Sequence, residues 1–144
     1  MRRPLPAFDV ETIASAISAA RAPGLVAAWL FGSAASGRLH AESDVDVGVL
    51  IDPAVLASPA DRFEVRVALS GELAAALGDR IVDVVVLNDV SPLFARRVVL
   101  EGRLLLCRDA AAEHAFRRDV QLRAADLDPF VARVRRRALE ALAR

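Results

Sequence analysis

The sequence predicts an α/β or α+β domain built on one small sheet of about four strands with helices packed on it. Two observations carry this. Short apolar runs (Val26–Phe31, Val45–Ile51, Ile81–Leu87, Arg103–Cys107), the first stopped by glycine and the second by Asp-Pro, have the length of buried strands. Between them lie stretches with apolar residues at helical spacing, each opened by a capping residue. The 144 residues suffice for one core, and no repeat, linker or boundary divides them, so residues 1–144 read as a single domain.

In order, the first helix is expected over 10–21, with Asp9 as N-cap, Val10, Ile13, Ile17 and Ala20 on one stripe, and Pro23-Gly24 as its stop. The strand 26–31 follows, then a turn at Gly32-Ser33 with a short helix over 34–38, then the strand 45–51, ended by Asp52-Pro53. Ser58-Pro59-Ala60-Asp61 resembles a capping box. Its helix carries Val65, Ala68, Leu69, Leu73 and Leu77 on one side and stops at Gly78. After the strand 81–87, Ser91-Pro92 opens a short helix that ends before Gly102, and 103–107 reads as a fourth strand. Asp109 caps a helix over about 110–125. Asp128-Pro129 caps a last one, with Leu127, Val131, Val134, Ala138 and Leu142 on one side. The pattern alone does not fix the strand order.

Three features point to chemistry. Gly32 lets a ligand approach the backbone closely, and Ser33 adds a hydroxyl at the start of a helix, where N–H groups attract anions. Ten residues later, Asp44 and Asp46 open a strand. Residues two apart share a face, so both carboxylates point one way while Val45, Val47 and Val49 point into the core. Paired like charges of this kind call for a cation, and hard oxygen ligands with phosphate as co-ligand suit Mg²⁺. Two such ions about 3.5–4 Å apart clamp the attacking and leaving oxygens of a displacement at phosphorus. The third feature, Asp83, interrupts the apolar run Val82–Leu87, where an unpartnered acid is costly. Beside the Asp44/Asp46 strand it becomes a third ligand and a base for the attacking hydroxyl. Taken singly, Gly-Ser is a common dipeptide and Asp-x-Asp is often a solvated strand end. Their order, each at an apolar run, carries the reading.

Gly-Ser, ten residues, then Asp-x-Asp resembles the signature of the DNA polymerase beta nucleotidyltransferase superfamily, over about residues 10–125. The small size and the run from Val82 through Glu101-Gly102-Arg103 are most similar to the minimal members, the MntA-type antitoxins that pair with HEPN-domain toxins. Many relatives have Arg just before the glycine at Gly37; here Ser36 stands there, with Arg38 on the other side. The resemblance implies a mixed sheet with helices on one side, and ATP with two Mg²⁺ ions as the reacting set. Gly32 and Ser33 would bind nucleotide, with Asp44, Asp46 and Asp83 as metal ligands and catalytic groups. It also implies transfer of AMP to a tyrosine of a HEPN-type ribonuclease toxin. Two alternatives stay open: an antitoxin that acts by binding alone, and a transferase with a small hydroxyl acceptor such as an aminoglycoside, for which a dimer or partner chain would have to supply a second wall.

Composition narrows the classes. No apolar run approaches the roughly 18–20 residues that span a bilayer, and acids at Asp9 and Glu11 precede any long apolar run, so a signal peptide is not expected and a cytoplasmic protein is. The one cysteine, Cys107, excludes an internal disulfide and is expected as a buried thiol. His40 and His114 are too few for zinc; His40 lies in the loop between Ser33 and Asp44, near the expected nucleotide. Residues 1–93 hold seven Arg and twelve acids, and residues 94–144 hold twelve Arg and seven acids. Of the C-terminal helices, 110–144, the arginine-rich last one lacks interleaved aromatics apart from Phe130, which favours a protein interface or a solvated face over nucleic acid. There is no Lys and no Tyr, so a lysine nucleophile is excluded and any tyrosine target lies on another chain.

Overall fold

The computed structural model describes residues 10–32 and 44–143. The chain runs α1 (Val10–Ala19), β1 (Leu25–Phe31), β2 (Val45–Ile51), α2 (Pro59–Ala76), β3 (Val82–Val86), a 3₁₀ turn (Leu87–Asp89), α3 (Pro92–Glu101), β4 (Arg103–Cys107) and α4 (Ala110–Leu142). The four strands lie in the order β3-β2-β1-β4. β1 is antiparallel to β2 and β4, while β2 and β3 are parallel, so the sheet is mixed as the resemblance implied. Three helix starts are those the sequence marks, while the expected cap Asp9 lies outside the described residues. Ser58 Oγ accepts from the Asp61 N–H, Ser91 Oγ from the Phe94 N–H, and Asp109 Oδ1 from the Ala112 N–H. The expected helix 34–38 lies outside the described residues.

The strand alternation sends apolar side chains both ways. Ala28 and Leu30 of β1, Val45, Val47 and Val49 of β2, and Val84 of β3 pack against Ile13 and Ile17 of α1 and Leu69 and Leu73 of α2. Burying each of these large side chains contributes about 1.5–3 kcal/mol. On the opposite face Ala27 and Trp29 of β1 and Leu50 of β2 meet Leu87, Val98 and Val99, with Phe116 of α4 against them. Helices therefore cover both faces, which corrects the expectation of helices on one side. The cause is β1 itself. Its run Leu-Val-Ala-Ala-Trp-Leu is buried throughout, and a strand apolar on both faces needs two covering layers.

Two other expectations are corrected. α4 is one 33-residue helix that passes through Pro129 rather than two helices split by an Asp128 cap. Proline inside a helix costs about 3 kcal/mol. Here Asp128 is held by the Arg96 guanidinium in a two-pronged pair (2.8 and 2.9 Å), and Val131 lines one cleft with Leu93 and Leu100 of α3. The turns before and after the proline are thus kept in line by α3. Of the expected apolar stripe, Leu127 and Val131 are half-buried, while Val134, Ala138 and Leu142 are exposed. Cys107 is exposed rather than buried, because it ends β4, an edge strand that the helices cover only in part. No helix among the described residues is long and apolar enough to cross a membrane.

Asn88 ties the far ends of the parallel pair together. Its Nδ2 donates to the Ile51 carbonyl (2.7 Å) and its Oδ1 accepts from the Ile51 N–H (3.0 Å), so one amide side chain continues the ladder beyond β3. Beside it, Arg62 donates to both oxygens of Asp89 (2.7 and 3.0 Å) and to the Leu56 carbonyl (2.9 Å). Replacing Asn88 by alanine leaves two half-buried backbone groups without these partners. The expected cost is roughly 1–3 kcal/mol, read as a lower midpoint in thermal or urea unfolding with an unchanged urea m-value.

Candidate active site

Gly32 follows β1 with φ at +72°, a backbone conformation that side chains other than glycine resist. A Cβ built on it would lie 2.5 Å from Asp46 Oδ2. The sequence argument gave Gly32 to close approach by a ligand. In the fold the group that approaches is the Asp46 carboxylate itself. The end of β1 is fixed from the other side by Phe31, whose ring meets Phe94 of α3 edge-on at 5.7 Å. Ser33, Ser36, Arg38 and His40 lie outside the described residues.

Asp46 is the second residue of β2 and Asp83 the second of β3, and the parallel register sets them directly opposite. Partners in adjacent strands lie about 4.8 Å apart and point to the same face. This adjacency is what a third-ligand role for Asp83 depends on. Asp44 precedes β2 and is exposed; Asp46 is half-buried; Asp83 is exposed, so it escapes the burial cost that its apolar run suggested. Partial burial, then the Asp83 charge, then the Asp44 charge push the Asp46 carboxyl above its usual range.

Among the described residues no three His, Cys, Asp or Glu side chains already converge as a ligand set. Asp83 instead pairs with Arg66 of α2 at 3.5 Å, with both side chains well exposed (40% for Arg66, 55% for Asp83). Such a pair is worth little, so Asp83 is free to rotate toward Asp46 at small cost. The donor set fits a hard divalent cation. It is all carboxylate, the charges of Asp83 and Asp44 press on Asp46, and Gly32 leaves room for the Asp46 oxygen. Arg66 was not singled out from the sequence. It stands one helical turn beyond Arg62 on an arginine-bearing face of α2, but only the placement of β3 at the sheet edge brings it to Asp83.

The sign of the Asp46 shift gives a test. A carboxyl raised in the folded state binds its proton more tightly than in the unfolded chain, so ionising it opposes folding. That penalty sets in as pH rises from the usual carboxylate range through the raised value, and it is fully present at neutral pH. Asp46→Asn should therefore raise the melting temperature of the ligand-free protein at pH 7, with the gain shrinking as pH falls from the raised value into the usual carboxylate range and absent below it. Gly32→Ala should lower the melting temperature, since it meets both the positive φ and the Asp46 oxygen. Differential scanning fluorimetry across pH reads both.

A family model for polymerase beta nucleotidyltransferases matches residues 11–111, which include Gly32, Asp44, Asp46 and Asp83. No curated relative matches the chain by sequence. Among solved structures the chain is similar to one from a toxin–antitoxin complex with AMP-PNP, at 24% identity and TM-score 0.65, covering 95% of this chain and 100% of the other. It is similar to one from the MntA–HepT toxin–antitoxin pair, at 22% identity and TM-score 0.59, covering 94% and 97%. A third comes from Shewanella oneidensis, a tri-AMPylated HEPN toxin in complex with MNT antitoxin, at 24% identity and TM-score 0.54, covering 85% and 86%. At these identities the likeness is one of fold, and it extends over nearly the whole of each matched chain. With the family model spanning most of the sequence and the carboxylate pair in place, the chain belongs to the polymerase beta nucleotidyltransferase family.

Proposed function

We propose that this protein transfers AMP from ATP to a hydroxyl group, a tyrosine of a HEPN-type toxin, and so serves as the antitoxin of a pair in the cytoplasm. The observation that carries the reading is the register of Asp46 with Asp83 beside Gly32. It is supported by the AMP-PNP and the AMPylated HEPN toxin of the complexes whose fold this chain shares.

In this reading Gly32 and Ser33 hold the terminal phosphates of ATP, and Asp44, Asp46 and Asp83 hold two Mg²⁺ ions. When bound, the ions neutralise the triphosphate and stabilise the charge that develops in displacement. The acceptor oxygen forms a bond to the α-phosphorus as the bond from that phosphorus to the bridging oxygen breaks, and pyrophosphate leaves. Asp83 takes the acceptor proton and passes it to solvent. Most of the acceleration comes from positioning and charge neutralisation, which the rigid strand pair is suited to supply.

The distal part of α4 supports a protein partner. Phe130, Val134 and Leu142 are exposed and apolar, and Arg133, Arg136 and Arg137 run beside them on a segment whose one acid is Glu140. We assign this segment to toxin docking, as a satellite of the single domain rather than a second one. Its contribution is affinity, while the chemistry resides in the carboxylates.

Intact-mass spectrometry tests the reading. The HEPN partner, incubated with this protein, ATP and Mg²⁺, should gain one or more AMP units, and chelation of the metal should prevent it. Asp83→Asn should slow transfer by about 10²–10⁴-fold. Asp44→Asn combined with Asp46→Asn should reduce it below detection. A partner that forms a stable complex and gains no mass would replace the reading with an antitoxin that acts by binding alone. Full transfer by the double variant would remove the assigned metal ligands.

A further inference from the structure

A groove of about 520 Å³ lies between α2 and β3, the strand at the sheet edge. Its walls are apolar and open. Phe63 is 58% exposed, Val67 57% and Ile81 69%, the three standing together in the groove. Apolar side chains exposed together in one groove offer a surface for an apolar ligand group. Arg80 lines the groove and Arg66 spans its rim, with the guanidinium 6.0 Å above the Phe63 ring and Nη2 3.5 Å from Asp83. The lining ends on Asp83, whose strand partner is Asp46. The groove and the carboxylate pair thus share one residue.

We propose that this groove is the acceptor subsite, and that it takes the aromatic side chain of a protein substrate with the phenol oxygen directed at Asp83. The assignment rests on the nucleotidyl-transfer reading for the reaction and goes beyond it in locating the acceptor. Three arguments select the occupant. The groove is continuous with the carboxylate that would accept the proton, so a side chain laid along it delivers its far end to the reacting position. Its walls suit a flat apolar ring, since Phe63 offers an edge or face and Val67 and Ile81 offer aliphatic contact. Its charge disfavours a cationic amino sugar, because Arg66 stands at its rim and the one acid in the lining, Asp83, already meets that arginine. A neutral phenol meets no such repulsion, and the negative charge that grows on its oxygen lies near Arg66. Arg66 is then a positioning residue. Its exposed pair with Asp83 holds the base at the groove mouth and yields at little cost when the acceptor arrives.

The test reads the groove without requiring transfer. In ¹⁵N-resolved NMR of the whole chain, N-acetyl-L-tyrosinamide at millimolar concentration should give saturable shifts confined to the amides around Phe63, Val67 and Ile81. Kanamycin should not reproduce them. Phe63→Ser with Ile81→Ser should weaken the binding by about tenfold or more, as expected for loss of apolar pocket contacts. Val67→Ser serves as an independent variant should the pair unsettle α2. Absent shifts, scattered shifts, or equal shifts with kanamycin overturn the proposal. The outcome separates from that of the transferase reading. A toxin that gains no AMP while tyrosinamide still shifts the groove defeats the reaction and leaves the subsite standing. A toxin that is modified while the titration is silent defeats the subsite and leaves the reaction.

Discussion

Two carboxylates set opposite each other on neighbouring parallel strands are the constraint on which the rest of this fold depends. The pairing sets Asp46 beside Asp83, one strand spacing of about 4.8 Å away, and makes the ligand-free site electrostatically unfavourable. The structure around it keeps the strands from slipping. Val45, Val47 and Val49 anchor β2 in the core, and Asn88 grips Ile51 at the far end of the strand. A one-residue slip would turn every one of those valines to the other face, so the same packing that stabilises the sheet also fixes the carboxylate register. Stability and chemistry are thus set by one alignment.

Much of this was legible because local rules operate at the site. Ser58, Ser91 and Asp109 mark helix starts through hydrogen bonds that span three residues. The alternation from Asp44 to Val49 tells which residues face the core without knowledge of the neighbouring strands. Asp83 was recognisable as an acid out of place in an apolar run. What escaped is what depends on contacts far apart in sequence. That β3 adjoins β2 in parallel, that it forms a sheet edge, and that Arg66 therefore reaches Asp83 follow from chain topology rather than from any spacing. Pro129 shows a local rule overruled. Asp128-Pro129 reads as the cap of a new helix, yet the Arg96 pair with Asp128, 32 residues apart, holds it inside one continuous helix. Cys107 shows the converse, since an apolar run implies burial only where helices cover the strand.

Arginine supplies every basic side chain, and its uses divide by surroundings. Arg62 is nearly buried and tied to Asp89 and Leu56, so it cements the turn after β3 to α2. Arg117 holds Glu113, the one buried acid among the described residues, at 2.6 and 2.9 Å on the inner part of α4. The arginines at 133, 136 and 137 stand exposed on the distal part of the same helix. One residue type thus serves as internal fastener at one end of α4 and as surface charge at the other. The fork geometry suits the first task and the permanent charge suits the second.

The exposed thiol of Cys107 gives the chain a built-in reporting point. It is the single cysteine, so a spin label or fluorophore attached there marks one known location without mutagenesis. β4 and β3 are opposite edges of the sheet, three strand spacings or about 14 Å apart. A paramagnetic tag at Cys107 therefore stands at the sheet edge opposite the one that carries Asp83. A partner that docks at the carboxylate edge and one that wraps the β4 edge would broaden at different distances, which turns an ordinary edge strand into a ruler for where a partner sits.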